Sequence, residues 1–129
     1  MINFNVDGQP VPQGSMKVIN GHVIHSQGSA LAAWRSAIAL SAKLAGAKPH
    51  LEPVEIEMDF TVARPRTVTR QEPTVPPDLD KLVRGVLDAL TAIAYRDDAQ
   101  VTRITASKAY GDTPGVSVSV GARLPKNLT

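Results

Sequence analysis

The chain has 129 residues, of which 43% are hydrophobic and 20% charged, and its formal net charge is +2 at pH 7. This length favours one compact domain over 1–129, and the absence of any apolar run of roughly 18 residues or of a signal-peptide pattern leads us to expect no membrane partner and a cytoplasmic location. Because there is no cysteine, disulfides and thiol catalysis are excluded, and oxygen or histidine ligands would have to hold any metal.

The first half of the chain predicts strands around one helix. Alternating apolar and polar residues predict a strand over 2–6, and an Asn-Gly pair predicts a tight hairpin over 17–24. Apolar residues spaced three and four apart predict an amphipathic helix over 30–45, with Ser29 as its N-terminal cap. The next alternating run, 53–62, predicts a strand with one face in the core and one in solvent.

A proline-rich basic stretch separates this strand from a second helix. Residues 64–77 contain four prolines and three arginines, a composition that predicts a mobile surface loop. Apolar residues between 79 and 93 recur at three and four positions, which predicts a second helix with Asp78 and Asp80 at its start and one face packed on the core.

The last third predicts two strands, over 100–110 and 116–120, joined by a hairpin loop at 111–115, and then a frayed tail at 124–129. Together the elements describe a single α+β domain in which a mixed β-sheet carries two main helices.

The segment 78–98 is acidic in a basic chain. It holds five of the twelve acidic residues but three of the fourteen lysines and arginines. Asp78 and Asp80 lie at a helix start, where both side chains can converge, and the Asp97-Asp98 pair precedes the next strand, which could return one of them to the same place. Carboxylates brought together repel one another unless a cation lies among them. Magnesium suits such oxygen ligands, with manganese as a plausible substitute.

Arg84 lies one helical turn beyond Asp80, where its charge could stabilise a phosphate undergoing hydrolysis. Each of these residues also has a structural interpretation. Asp78 or Asp80 could cap the helix, Arg84 could pair with Asp80 and Asp88 along a solvated stripe, and Asp97-Asp98 could form a turn.

Three motifs favour the catalytic interpretation. They read PDLDKLVR at 77–84, VLDAL at 86–90 and AYRDDAQV at 94–101. In combination they closely resemble the RusA family of Holliday junction resolvases from bacteria and their phages. That family has Asp-Leu-Asp-Asn-Leu, a basic residue soon after, an Asp-Ala-Leu helix end, and an aromatic residue followed by Asp-Asp-x-Gln. The close match covers about a fifth of the chain.

The resemblance implies a RusA-like fold and assigns roles to residues. Asp78, Asp80 and Asp98 would be the magnesium-binding catalytic carboxylates, with Asp97 less critical, and Arg84 stands where the family has a functional lysine. Lys81 replaces the usual asparagine, which adds a cation beside the metal site. The residues expected to contact DNA phosphates are Arg64, Arg66, Arg70, Lys81, Arg84 and Arg96.

The predicted function is that of a magnesium-dependent, structure-selective endodeoxyribonuclease that resolves four-way DNA junctions in a bacterial or phage-infected cell. Because resolution needs two symmetric nicks, we expect a homodimer, as in the family. Two alternatives stay open. One is a non-catalytic DNA-binding accessory module for recombination, and the other is a nuclease that cuts forks or flaps.

Overall fold

The computed structural model describes residues 1–14, 16–25 and 28–124, with the backbone alone for 16–19 and 22–25. Nine short elements follow one another along this part of the chain. They are β1 (Ile2–Asp7), β2 (Met16–Ile19), β3 (His22–His25), α1 (Gly28–Leu44), β4 (Val54–Val62), α2 (Leu79–Leu90), a 3-10 helix (Asp98–Gln100), β5 (Val101–Tyr110) and β6 (Gly115–Ala122).

Four strands form one mixed sheet in the order β1-β6-β4-β5. β6 runs antiparallel to both β1 and β4, whereas β5 runs parallel to β4. The predicted α+β fold with a mixed sheet and two helices is thus confirmed. The predicted hairpin over 17–24 is confirmed as well, because β2 pairs with β3 across Asn20 and Gly21, which both have positive φ angles.

The prediction of a β-hairpin at 111–115 is wrong. β5 and β6 are not neighbours, because β4 lies between them. The connection crosses the end of β4, where the Gly111 amide donates to the Val62 carbonyl at 3.1 Å.

Alternation in β4 places its apolar side chains inward, as predicted. Both helices cover that face. The α2 stripe contributes Leu82, Val86 and Leu90, each with 0% exposure. α1 begins at Gly28, so Ser29 lies inside its first turn and is not its cap. In the part of the chain that the structure describes, no helix is long and apolar enough to cross a membrane.

Of the predicted frayed tail, 125–129 fall outside the described residues, and Leu124 is exposed. Residues 64–77 form neither helix nor strand, as expected for a surface loop.

Candidate active site

The first two carboxylates lie at the beginning of α2. Asp78 is the N-cap residue by its extended backbone (φ −70°, ψ 138°), yet its side chain makes no capping hydrogen bond. Its side chain is 53% exposed, and Asp80 in the first turn is also exposed. Capping therefore does not occupy the Asp78 carboxylate, and both groups are accessible to a ligand.

Lys81 provides the ion pair nearest to this helix start. Its Nζ lies 3.7 Å from Asp78 Oδ2. A pair this exposed contributes little to stability, on the order of 0–1 kcal/mol. The residue that departs from the family pattern therefore places a positive charge beside a predicted metal ligand.

Asp97 and Asp98 have different surroundings although they are adjacent. Asp97 caps the 3-10 helix, and its Oδ1 accepts a hydrogen bond from the Ala99 amide at 2.9 Å. Asp98 is the first residue of that helix and is exposed. The turn interpretation thus describes Asp97, whereas the Asp98 carboxylate is accessible.

Gln100 fixes the turn that carries this aspartate pair. Its Oε1 accepts hydrogen bonds from the amides of Arg96 and Asp97 at 2.9 and 3.0 Å. Its Nε2 donates to the carbonyls of His50 and Glu52 at 2.9 and 3.0 Å. Both the oxygen and the nitrogen of the side-chain amide are hydrogen-bonded, which gives a structural reason for a glutamine two residues after the Asp-Asp pair. The sequence motif contained this glutamine but did not indicate its role.

Negative charge accumulates around Asp98. Desolvation, followed by the neighbouring Asp97 and the charge of Asp88, raises the pKa of Asp98 above its ordinary value. Burial, reinforced by the charges of Asp98 and Asp88, also raises the pKa of Tyr95. Asp88, which the sequence suggested to be a helix-end residue, therefore lies near enough to both groups to affect their protonation. A bound cation would relieve this repulsion.

The irregular segment after β1 lies along the same side of α2. The Gln13 backbone N–H donates to the Lys81 carbonyl at 3.0 Å, and the Gln13 side-chain amide donates to the Asp88 carboxylate. A Cβ atom on Gly14 would lie 2.9 Å from an Arg84 guanidinium nitrogen. The glycine thus admits the Arg84 side chain close to the backbone. The residues Pro10, Pro12 and Gly14 in this segment predict from sequence only that it lacks regular structure.

The alternative interpretation of Arg84, a stripe of ion pairs along α2, is not supported among the described residues. Neither Asp80 nor Asp88 lies within 4.0 Å of the Arg84 guanidinium, and the pairs found are Lys81 with Asp78 and His50 with Glu52. Arg84 is exposed, so its charge is available to an anion from solution.

Two arginines of the basic loop contact one tyrosine. The Arg64 guanidinium lies 4.9 Å from the centre of the Tyr110 ring, a cation–π distance. Arg70 Nε donates to the Tyr110 hydroxyl at 2.9 Å. Arg66 on the same loop and Arg96 before the 3-10 helix are exposed. These tethers were not foreseen, because Tyr110 is forty residues further along the chain than Arg70.

The predicted metal ligands are of suitable chemistry but are not gathered into a preformed cluster. Among the side chains that the structure describes, no three from His, Asp or Glu are arranged to hold a metal ion. Mg²⁺ commonly uses one or two protein carboxylates, with water and substrate phosphate completing its shell. Asp78 and Asp80, both exposed at the start of α2, satisfy that smaller requirement, whereas Asp98 lies beyond the other end of the helix.

Comparisons with known proteins agree with the motifs. The chain matches the family described as "Endodeoxyribonuclease RusA" over residues 7–121. It is also 30% identical to "Uncharacterized protein YqaN" of Bacillus subtilis (strain 168), in an alignment covering 92% of this chain and 94% of that protein. The matched span contains both helices and all the candidate site residues. This chain therefore belongs to the RusA endodeoxyribonuclease family.

Proposed function

We propose that this protein is a magnesium-dependent endodeoxyribonuclease that resolves four-way DNA junctions by paired phosphodiester hydrolysis. Family membership supports nuclease activity on branched DNA with a metal requirement. The observation that carries the assignment to these residues is the exposure of Asp78, Asp80 and Asp98, which lie in the family's motif positions and are free of the capping role that Asp97 performs.

Each residue has a role in this mechanism. Asp78 and Asp80 would hold the cation from the start of α2. Asp98 follows the other end of this 12-residue helix, roughly 18 Å away, so it would not share that cation within one protomer. When bound, the metal supplies an activated water and neutralises phosphate charge. Arg84, set against the Gly14 backbone, stabilises the negative charge that develops on the phosphate.

The surrounding cations would hold DNA by its phosphates. Arg64, Arg66, Arg70, Lys81 and Arg96 are the residues proposed for this contact. Phosphate contacts of this kind make binding salt-dependent and largely indifferent to sequence. Arg64 and Arg70 approach DNA as a fixed pair, because both are held by Tyr110.

Two symmetric nicks require two active sites, so we propose a homodimer acting on DNA in the cytoplasm of a bacterial or phage-infected cell. Sedimentation of the purified chain measures the mass of the particle. A monomer at all concentrations, with or without a junction, would contradict the paired mechanism.

The direct test incubates the purified chain with labelled four-way, forked and linear duplexes, with and without Mg²⁺. We expect metal-dependent nicking of the four-way junction at symmetric positions. Preferential nicking of forks would support the fork or flap nuclease, and junction binding without nicking at any metal concentration would support the accessory module.

Asp80→Asn assigns the activity to the proposed site. It should reduce nicking by more than about 100-fold, because even groups that only support a metal ligand cost 10- to 100-fold when removed. Junction binding should survive. Asp112→Asn, at an exposed aspartate between β5 and β6, is the matched control and should nick like the wild type. Loss of both nicking and folding in Asp80→Asn would favour a helix-stabilising role for Asp80.

A further inference from the structure

Lys108 occupies an unusual place in β5. It pairs in parallel register with Phe60 of β4, and the neighbouring pairs are Ala106 with Met58 and Ile104 with Ile56. Since parallel neighbours in register share a face, Lys108 lies on the side of the sheet that carries the helices. Phe60 and Met58 on that side are buried. An apolar residue would complete this pattern at the sheet edge, yet the chain has a lysine there.

The Lys108 ammonium is bound by backbone carbonyls. Its Nζ donates to the Pro77 carbonyl at 2.8 Å and to the Val75 carbonyl at 3.0 Å. Among the described residues, no carboxylate lies within salt-bridge distance of it. Two of its three donors therefore fix the two residues on either side of Pro76, directly before Asp78.

The helix dipole does not favour a cation at this position. The N-terminus of a helix carries a partial positive charge, so a cation beside it is electrostatically unfavourable. Pro77 immediately precedes the N-cap of α2, so Lys108 stands at the unfavourable end. A functional reason for the lysine is that its hydrogen bonds set the backbone path into the start of α2, where the candidate carboxylates lie.

We infer that Lys108 is a positioning residue, which holds the segment 75–77 so that Asp78 and Asp80 face a common cation. This inference rests on the proposed function. It adds a residue on a different element, thirty positions beyond Asp78, to the machinery of the same site. Supporting groups of this kind typically change metal affinity by 10- to 100-fold when they are removed.

The test measures metal affinity and activity separately. Lys108→Met keeps the aliphatic stem and removes the donors, so we expect the half-saturating Mg²⁺ concentration for nicking to rise about 10- to 100-fold. Calorimetric titration of the DNA-free protein with Mn²⁺ should show a matching loss of affinity. Nicking at saturating metal should recover most of the wild-type rate. Lys108→Arg, which retains charge and donors, should recover part of the lost metal affinity.

Arg103→Met is the matched control. Arg103 is an exposed cation on the same strand but pairs in register with Glu55, on the opposite face, so its loss should leave metal affinity unchanged. If Lys108→Met lowers only the melting temperature, or only weakens junction binding with a reduced salt dependence, the positioning role is refuted in favour of a structural or DNA-contacting one. If Lys108→Met does not fold, Lys108→Arg provides the test. Loss of nicking in Lys108→Arg with unchanged metal affinity would also refute the positioning role. Wild-type protein that does not nick DNA in any metal overturns the proposed function itself, and with it the inference.

Discussion

Removal of the Tyr95 hydroxyl should lower the free energy of unfolding only slightly, because a second hydroxyl donates to the same carbonyl. Tyr95 has 0% exposure, and its hydroxyl donates to the Leu87 carbonyl at 2.6 Å. The Thr91 hydroxyl donates to the same carbonyl at 3.1 Å. Since burial and nearby negative charges raise the pKa of Tyr95, its hydroxyl remains protonated and able to donate at all ordinary pH values.

Tyr95→Phe should therefore lower the free energy of unfolding by about 0.5–1.5 kcal/mol, the net value of one hydrogen bond. Thr91→Val should cost a similar amount, because Tyr95 still satisfies the carbonyl. The double variant leaves the Leu87 carbonyl without either donor, which adds a penalty of about 1–3 kcal/mol for an unpaired buried acceptor. The two substitutions are thus expected to be more destabilising together than their sum.

Urea denaturation followed by far-UV circular dichroism measures all four proteins, with an unchanged slope as the check that the transition is comparable. Strict additivity of the two substitutions would refute the shared acceptor. A loss of more than about 3 kcal/mol in Tyr95→Phe alone would show that the Thr91 hydroxyl does not compensate. Nicking by Tyr95→Phe should stay close to wild type well below its melting temperature, since the aromatic ring still fills the core before the aspartate turn.

Two further substitutions separate electrostatics from catalysis. Because the pKa of Asp98 is raised in the folded chain, its contribution to stability decreases as pH rises from the unfolded value, near 3.9, through the higher folded value. Asp98→Asn should therefore be more stable than wild type at pH 7 in thermal melts, with the gain vanishing below about pH 3.9, while nicking is lost; a less stable variant at pH 7 would contradict this. Lys81→Asn removes the cation 3.7 Å from Asp78, so the half-saturating Mg²⁺ concentration should fall about two- to fivefold, the equivalent of up to 1 kcal/mol; an unchanged or higher concentration would show that Lys81 does not compete with the metal.

Local patterns predicted the elements well because each depends on a few adjacent residues. Alternation located β4 to within one residue. The apolar stripe placed the start of α2 near Asp78 and Asp80, although it continued to Ile93, beyond the observed end at Leu90. The turn interpretation, one of two that the sequence left open, holds for Asp97 and followed from its position between elements. Such features need no knowledge of which segments meet in space.

Long-range pairing was less accessible to sequence reasoning. The predicted hairpin between the last two strands failed because β4 accepts β5 on one edge and β6 on the other, and adjacency in sequence does not determine which edge is used. The contacts of Lys108 with Val75 and Pro77, and of Tyr110 with Arg70, join positions at least thirty residues apart. No periodicity encodes them, although a lysine in an inward-facing register position is a signal that could have been noticed.

The candidate site shows how an apolar core can hold mutually repelling charges. The separation between the start of α2 and the Asp98 turn is set by buried contacts of Leu82, Val86 and Leu90 and by the buried Tyr95 beyond them. These apolar contacts do not depend on the charge of the exposed carboxylates. Repulsion between the carboxylates lowers stability by only a small part of what apolar burial contributes. The chain can therefore keep excess negative charge at Asp98 in the absence of a cation. In the proposed function, a metal ion and the phosphate-binding cations would supply the missing counter-charge, so the excess negative charge would favour the complex with metal and DNA over the free protein.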